Sequence, residues 1–368
     1  MIIIMIDIIG TAIMIDKSQY LKERMNTDTE IVIVVNASFS GTEKQQIIEA
    51  SKDPDFFNKM ACSIAPEFYS GEEIKSILAL QLFGGVKITT DSGEQLLGNI
   101  HIMLIADPGI KVDLLLESMS RLSPNGLFIP DNGCIDIHFS GRITNDHNHE
   151  ESIMKGAVTI ADGGLVCYDN LNRFDGDDRH CLFEVMNCGK NTIESPSRRI
   201  SLPADTSLLC TIPPKTDRIL NGIDIEEQTD LPPFVLSKFS MIIPIRKMPG
   251  TYVNMSRKNN NEENDPNSNR YQTAFYSDNF IRKYVTYARL NYNPTIDVLS
   301  QEMLEKEYWY LKKKHERISV YQLELLVHLA EASARSRLSE TVGEIDIFRS
   351  STIIDCCLDK IENISWKL

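Results

Sequence analysis

The sequence lacks a long apolar run, a Cys-x-x-Cys pair and an excess of positive charge. Its apolar start, Met1–Ile9, is too short to cross a membrane and has no basic region of the kind that begins a signal peptide. The eight cysteines are scattered and mostly stand in apolar segments, where a thiol behaves as a small core residue. We therefore expect reduced thiols, no membrane association and no secretion, with a cytoplasmic location in a prokaryote or a nuclear one in a eukaryote.

The net charge is −14 over 368 residues. A protein that holds DNA by neutralising its phosphates usually carries a basic excess. We therefore expect DNA to be bound only weakly, if at all. In other respects the composition is that of a soluble globular chain of two or three domains, with 42% hydrophobic and 24% charged residues.

Apolar runs of strand length alternate with stretches of helix length in the middle of the chain, which is typical of an α/β fold with a parallel sheet. The predicted strands are Ile100–Ile105, Gly164–Tyr168, Ser207–Thr211 and Met241–Ile245. The predicted helices beside them are Thr42–Ala50, Glu72–Phe83, Val112–Leu122 and Asp178–Met186. Helical periodicity in Asn279–Asn291, Asp297–His315 and Val320–Arg337 predicts a separate all-α domain.

Changes in composition divide the chain into six segments. Residues 1–40 are rich in Ile and Val and predict two or three strands, too few for an independent sheet. Residues 254–270 are rich in Asn, Glu and Ser, which predicts a disordered linker. The expected segments are 1–40 (β strands), 41–70 (helical connector), 71–253 (α/β core), 254–270 (linker), 271–347 (helical domain) and 348–368 (C-terminal segment).

An ordered series of short motifs resembles one protein family. The motifs are Ser63-Ile64-Ala65-Pro66, Leu80-Gln81-Leu82-Phe83-Gly84-Gly85, Ala106-Asp107-Pro108-Gly109, Asp230-Leu231-Pro232-Pro233, Leu236-Ser237-Lys238-Phe239 and Gln322-Leu323-Glu324. From about Ser51 to Ile347 they resemble, in family order, the minichromosome maintenance (MCM) AAA+ replicative helicases. The resemblance implies an AAA+ P-loop core with a parallel sheet and an all-α lid domain. It also implies that residues 1–40 are remnant β strands of an OB-fold domain, as in an N-terminally shortened relative.

The segment that resembles the family's P-loop departs from it at five of eight positions, and two of these, Val112 and Asp113, fall where side chains would bind phosphate and Mg²⁺. A P-loop holds phosphates with backbone N–H groups, with a Lys that reaches the β- and γ-phosphates and with a Ser or Thr that holds Mg²⁺. Against the family pattern Gly-Asp-Pro-Gly-Thr-Ala-Lys-Ser, Val112 stands at the Lys position and Asp113 at the hydroxyl position. A shift of one residue, which would make Lys111 the P-loop lysine, is the alternative. The candidate nucleotide-binding residues are Asp107, Pro108, Gly109, Ile110, Lys111, Val112 and Asp113.

Four further positions carry the family's ATP chemistry, and each is changed or incomplete here. The resemblance assigns Walker B to Asp169 and Asn170, which keeps the carboxylate for Mg²⁺ but loses the carboxylate that activates water. Sensor 1 falls on Pro213, which cannot hydrogen-bond. The arginine finger falls on Lys238, which keeps the charge but lacks the planar fork of arginine. Sensor 2 falls on Tyr321, interpreted as a packing residue. We therefore expect no bound cofactor beyond weakly held ATP–Mg²⁺.

Two hairpins of the family's core face DNA, and their counterparts offer little positive charge here. Arg198 and Arg199 are the candidates for phosphate contact, with a solvated surface pair as the equal alternative. The other hairpin, around His147 and His149, is acidic and would repel DNA. The alternating His and acidic residues there are more typical of an exposed turn than of a metal site, so we expect no metal.

Three functions follow from these residues. The first is an MCM-like pseudo-ATPase that acts as a partner or modulator of a DNA-replication helicase formed by other MCM subunits. The second is a residual ATP-binding helicase subunit that binds DNA and takes missing groups from its neighbours. The third is a relic copy without function. The changes at Val112, Asp113 and Asn170 favour the first, because no neighbour replaces these residues.

Overall fold

The computed structural model describes most of the chain outside its first 38 residues. The described residues are 39–68, 72–89, 95–131, 138–145, 151–194, 199–216, 218–220, 225–229, 231–246, 274–315 and 320–362. The strands predicted within residues 1–40 and the linker predicted at 254–270 therefore lie outside the described residues, apart from Phe39 and Ser40.

Eleven strands are described, and five of them form the central sheet. In chain order they are β1 Ile88–Thr89, β2 Gln95–Leu96, β3 Ile102–Ala106, β4 Gly126–Ile129, β5 Gly141–Asn145, β6 Glu151–Lys155, β7 Leu165–Tyr168, β8 Lys190–Glu194, β9 Arg199–Pro203, β10 Ser207–Ile212 and β11 Met241–Ile245. The sheet order is β11-β3-β10-β7-β4, with every pair parallel. The predicted parallel sheet is confirmed. The other strands form three antiparallel pairs.

Burial on both faces explains why the central strands are continuous apolar runs. All five residues of β11 and the first four of β3 are buried. A parallel sheet covered by helices on both faces requires this composition, whereas a half-exposed strand would alternate apolar and polar residues. The carboxyl ends of the five parallel strands meet at one edge of the sheet, which is where ligands bind in open α/β sheets.

Helices surround the sheet and form a second domain. They are α1 Gly41–Ser51, α2 Phe56–Ser63, α3 Glu72–Phe83, α4 Val112–Leu122, α5 Ala157–Ile160, α6 Gly176–Cys188, α7 Ile225–Gln228, α8 Pro233–Leu236, α9 Asp278–Asn291, α10 Val298–Lys314, α11 Val320–Ser336 and α12 Glu344–Glu362. The predicted helices Glu72–Phe83 and Val112–Leu122 match α3 and α4 at both ends. No helix in the described ranges is long and apolar enough to cross a membrane.

The last helix is not predicted from the sequence. It runs across the boundary expected at residue 347 and packs against α10 and α11. Its buried face includes Ser350 and Ser351 beside Ile353 and Ile354. Ser and Ile favour helices less than Leu or Ala, and small buried serines hide the apolar stripe that periodicity detects.

A buried arginine joins the helical domain to the core. Arg335 on α11 is 4% exposed. Its Nη1 donates to the carbonyl oxygens of Phe83, Gly84 and Gly85 at 2.6, 2.8 and 3.2 Å, and its Nε donates to the carbonyl oxygen of Tyr292 at 2.9 Å. The end of α3 is thereby fixed to the helical domain, because one buried guanidinium donates to carbonyl oxygens of both.

Candidate functional site

The loop between β3 and α4 lies at the carboxyl edge of the sheet. The backbone N–H of Asp107 donates to the carbonyl of Ile245 at 3.0 Å, which continues the pairing with β11. The Asp107 carboxylate accepts a hydrogen bond of 2.6 Å from the backbone N–H of Ile219. Gly109 has a φ of 87°, a left-handed conformation that favours glycine. The loop therefore has the strand–turn–helix course that a P-loop requires.

The first turn of α4 differs chemically from a phosphate site. Val112 begins the helix and is only 5% exposed, so its side chain is part of the core. Asp113 follows in the first turn and is exposed, as is Lys111 just before the helix. A carboxylate in the first turn stabilises the positive end of the helix dipole, but it repels a phosphate that would use the same N–H groups. Whether Lys111 replaces the missing lysine stays a prediction.

The turn after β7 is fixed to the neighbouring strand β10. The Thr211 hydroxyl donates to Oδ1 of Asp169 at 2.5 Å and accepts from the backbone N–H of Asn170 at 2.9 Å. Asn170 has a φ of 69°, a left-handed conformation that asparagine tolerates better than most residues. Sequence reasoning missed Thr211, although a hydroxyl among the apolar residues of β10 is a signal that points to it.

The side chain of Asn170 contacts the carboxylate of Asp131. Its Nδ2 donates to Oδ1 of Asp131 at 3.2 Å, and Nη1 of Arg173 lies 3.3 Å from the same oxygen. Pro213 directly follows β10 and is half-buried. The structure therefore brings Asp107, Asp169, Asn170 and Pro213 to one edge of the sheet, as the resemblance implies. Asn170 supplies an amide at this edge, and its assignment to the family's second carboxylate stays a prediction.

Lys238 and Tyr321 lie elsewhere. Lys238 is in the turn that leads into the amino end of β11, whereas Asp107 follows the carboxyl end of β3, its parallel neighbour. A five-residue strand at about 3.3 Å per residue separates the two ends by roughly 15 Å. Lys238 and the P-loop segment therefore do not form one site within this chain.

Lys238 is surrounded by aromatic rings from both domains. Its Nζ lies 5.2 Å from the ring centroid of Phe183 and 5.9 Å from that of Tyr321, distances of a cation–π contact. The ring centroids of Phe234 and Phe183 lie 6.2 Å apart. Burial raises the pKa of the nearby Glu324 carboxyl, and the charge of Lys238 opposes that rise. We call Phe183, Phe234, Lys238 and Tyr321 the aromatic face.

The hairpin candidates are only partly described. In the β8–β9 hairpin, Nε of Arg199 lies 2.9 Å from Oε1 of Glu194, and both side chains are largely exposed. Arg198, His147 and His149 lie outside the described residues. Arg199 is therefore paired with a carboxylate, and this pairing weakens the attraction that its guanidinium would have for a phosphate.

One group of side chains has the composition of a metal site. His315, Asp355 and Asp359 place their ligand atoms within 4.8 Å of one another. However, Nζ of Lys314 already lies 2.7 Å from Asp355 and 3.2 Å from Asp359. The lysine ammonium would therefore compete with a metal ion for both carboxylates. We interpret the group as an ion-pair network between α10 and α12.

The sheet topology defines the class of this protein. β3 lies between β11 and β10 and continues through the loop at 107–111 into α4, while α9, α11 and α12 pack on the core and α10 packs against α11 and α12. This is the architecture of an AAA+ P-loop core with its helical lid. The MCM P-loop domain family matches residues 43–254, and the MCM AAA-lid domain family matches residues 279–358. The chain belongs to the MCM family.

Relatives support the same assignment. The chain is 30% identical to the DNA replication licensing factor MCM4 of Arabidopsis thaliana over 321 residues, which cover 81% of this chain and 37% of the relative. It is 27% identical to the minichromosome maintenance protein MCM of Saccharolobus solfataricus over 331 residues, which cover 88% of this chain and 48% of the relative. It therefore spans less than half the length of either relative.

Proposed function

We propose that this chain is a pseudo-ATPase of the MCM family. In this proposal it keeps the AAA+ core and lid, does not hydrolyse ATP, and acts by contact with other MCM subunits as a modulator of the replication helicase that they form. The proposal rests first on the chemistry at the carboxyl edge of the sheet. Val112 offers no charge, Asp113 repels phosphate, and Asn170 cannot accept a proton from water.

The aromatic face supports the second half of the proposal. Phe183, Phe234 and Tyr321 are 40%, 55% and 47% exposed, so three large rings of both domains lie together at the surface beside one cation. Aromatic residues beside a cation are enriched at the centres of protein interfaces. The family resemblance places the residue that acts on a neighbouring subunit at Lys238, so a neighbouring MCM subunit is the partner that we propose for this face.

Lys238 would be a poor replacement for an arginine finger. Its ammonium lies within cation–π distance of two rings of its own chain, and it lacks the fork that binds two phosphate oxygens at once. Loss of such a finger typically lowers the rate by roughly 10³–10⁵-fold. A subunit of this kind would slow ATP hydrolysis in the neighbour that it contacts.

The test is to mix the full chain with an active MCM protein from the same cell and to measure complex size, ATP turnover and strand unwinding. We expect a complex, a reduced turnover per active subunit and no turnover by this chain alone. The double variant Phe183→Ser, Phe234→Ser should weaken the complex at least about 10-fold. The matched control Ile88→Ser, Leu96→Ser alters two equally exposed apolar residues on β1 and β2 and should leave it intact.

The pseudo-ATPase assignment and the partner assignment can each be contradicted by a separate result. Turnover by the chain alone that disappears in Asp169→Ala would overturn the pseudo-ATPase assignment and favour a residual ATPase. An active MCM protein that changes neither in size nor in unwinding rate at micromolar mixing would overturn the partner assignment and favour a relic.

A further inference from the structure

The outer surface of α10 combines exposed aromatic rings with lysines. Trp309 is 62% exposed and Tyr310 is 55% exposed. Lys306, Lys312 and Lys313 are also exposed on the same helix. Tryptophan is usually buried in large part, because burying its large ring contributes more to stability than burying almost any other side chain. The exposure of Trp309 is therefore unusual.

Helical spacing brings these side chains to one surface. Lys306 and Lys313 stand three residues before and four residues after Trp309, so all three share one side of α10. The Nζ of Lys312 lies 5.1 Å from the Trp309 ring centroid, so this lysine also borders the ring. The lysines extend over about 10 Å of the helix, at 1.5 Å per residue.

The charges around the ring are positive at the carboxyl end of α10. On the amino side of Trp309, Glu305 stands four residues before it and next to Lys306, and Glu302 stands seven residues before it, so the positive excess comes from Lys312 and Lys313. Lys314 does not contribute, because Asp355 and Asp359 neutralise it. Lysines in a last turn also stabilise the helix dipole, but that role does not require an exposed tryptophan among them.

We propose that Trp309, with Lys306, Lys312 and Lys313, forms a binding site for single-stranded nucleic acid. A nucleobase stacks on the exposed part of the Trp309 ring, and the lysines contact the phosphates on either side. This combination of an aromatic platform and cations binds single strands with little dependence on sequence. A duplex keeps its bases stacked within the helix and can use only the lysines. The site is independent of the nucleotide pocket and of the aromatic face, so it does not depend on the proposed function.

Fluorescence gives a direct test, because the chain has two tryptophans, Trp309 and Trp366. In the full chain carrying Trp366→Phe, Trp309 is the sole tryptophan, and single-stranded oligothymidylate should quench its emission. Three lysine–phosphate contacts predict a slope of about −2 for log Kobs against log salt, at roughly −0.7 per contact on single strands. A duplex of the same length should bind more weakly. Absence of quenching at low salt would overturn the proposal.

Substitutions separate stacking from other kinds of binding, with anisotropy of a labelled oligonucleotide as the readout. Trp309→Phe keeps an aromatic ring and should retain most of the affinity. Trp309→Leu keeps an apolar side chain and should lose about 5- to 150-fold. The double variant Lys312→Gln, Lys313→Gln should bind more weakly and reduce the slope to about −0.7. The control Lys44→Gln, Lys52→Gln removes the same charge from exposed positions near α1 and should change neither.

A different macromolecule would give a different pattern. Equal binding of polyglutamate and oligothymidylate, together with full affinity in Trp309→Leu, would show a surface for acidic polypeptides and would overturn the proposal. A salt slope that the Lys312 and Lys313 substitutions leave unchanged would overturn it as well.

Discussion

The Thr211 hydroxyl donates a hydrogen bond of 2.5 Å to Asp169, across the gap between β10 and β7. The same hydroxyl oxygen accepts the backbone N–H of Asn170. One side chain on a neighbouring strand therefore fixes both the carboxylate and the backbone of the turn after β7. This turn carries the two residues that the family resemblance assigns to Walker B.

Removing that hydroxyl should destabilise the core. Thr211 is 4% exposed, so Thr211→Val keeps the shape of the side chain but leaves the Asn170 N–H and one Asp169 oxygen without this partner. We expect a loss of about 1–3 kcal/mol in the free energy of unfolding, measured by denaturant titration. Thr211→Ser keeps the hydroxyl and should cost less than about 1 kcal/mol. A loss in Thr211→Val that is no larger than the loss in Thr211→Ser would contradict the dominant role of the hydroxyl.

Restoring the P-loop chemistry should restore nucleotide binding. In Val112→Lys with Asp113→Ser, a cation and a hydroxyl replace an apolar group and an anion beside the phosphates. A unit charge pair at about 4 Å contributes up to ~4 kcal/mol at an effective dielectric of ~20, and solvent at the exposed Asp113 position reduces this. We expect at least a roughly 10-fold gain in ATP–Mg²⁺ affinity by calorimetry.

Two further variants complete this test. Asp113→Ser alone should give a smaller gain, since it removes the repulsion without supplying the lysine. Lys111→Ala should leave the affinity unchanged unless Lys111 is the functional lysine. Micromolar affinity in the unaltered chain that Lys111→Ala abolishes would show that the one-residue shift is correct.

Arg335 should be among the most sensitive positions for stability. Arg335→Met removes the donor to the carbonyl oxygens of the last residue of α3 and of the two residues that follow it. We expect a loss of about 3–5 kcal/mol in the free energy of unfolding, and weaker attachment of the lid to the core in limited proteolysis. Arg121→Met, at an exposed arginine paired with Glu117 and Asp278, should cost less than about 1 kcal/mol. Similar effects of the two changes would contradict the role of Arg335.

The buried Glu331 should make stability depend on pH. It is 2% exposed and accepts the backbone N–H of Val86 at 2.8 Å; burial raises its pKa from 4.5 to about 7. Because the folded pKa is the higher one, its contribution is complete below pH 4.5 and is lost as the pH rises through 7. The full difference in the free energy of unfolding is about 3 kcal/mol.

Glu331→Gln isolates this effect. Glutamine still offers an oxygen to Val86 but carries no charge, so the variant should unfold with nearly the same free energy as the parent near pH 4.5 and be the more stable of the two at pH 8. Thermal unfolding of both proteins across this range gives the difference directly. The neighbouring His328, whose pKa burial lowers to about 4, titrates in both proteins and cancels in the comparison. A pH-independent difference would contradict a titrating Glu331.

The sequence predicts the central sheet well because its strands are buried on both faces. The predicted strand Met241–Ile245 agrees with β11 at both ends, and α4 begins at Val112 as expected. In both cases the limits of the apolar pattern coincide with polar or turn residues. The type and the limits of these elements can therefore be predicted from the local sequence.

Contacts between residues that are distant in the chain cannot be predicted from the local sequence. The family resemblance gives Lys238 and Tyr321 separate roles. That the two side chains lie close together depends on how the lid packs against the core. Phe183 joins them from α6, a third separate segment, and no local pattern points to it. The contact of Thr211 with Asp169 likewise requires knowing that β10 lies beside β7.

The position of β3 between β10 and β11 bears on how the chain folds as it is made. Both neighbours of β3 come later in the sequence, and β11 ends at Ile245, about 140 residues after Ala106. At roughly 5–20 residues per second, the ribosome needs on the order of 10 s to deliver the second neighbour. Throughout that interval an almost wholly apolar strand has at least one open edge, which is the feature that draws nascent chains into aggregation and makes them clients of chaperones.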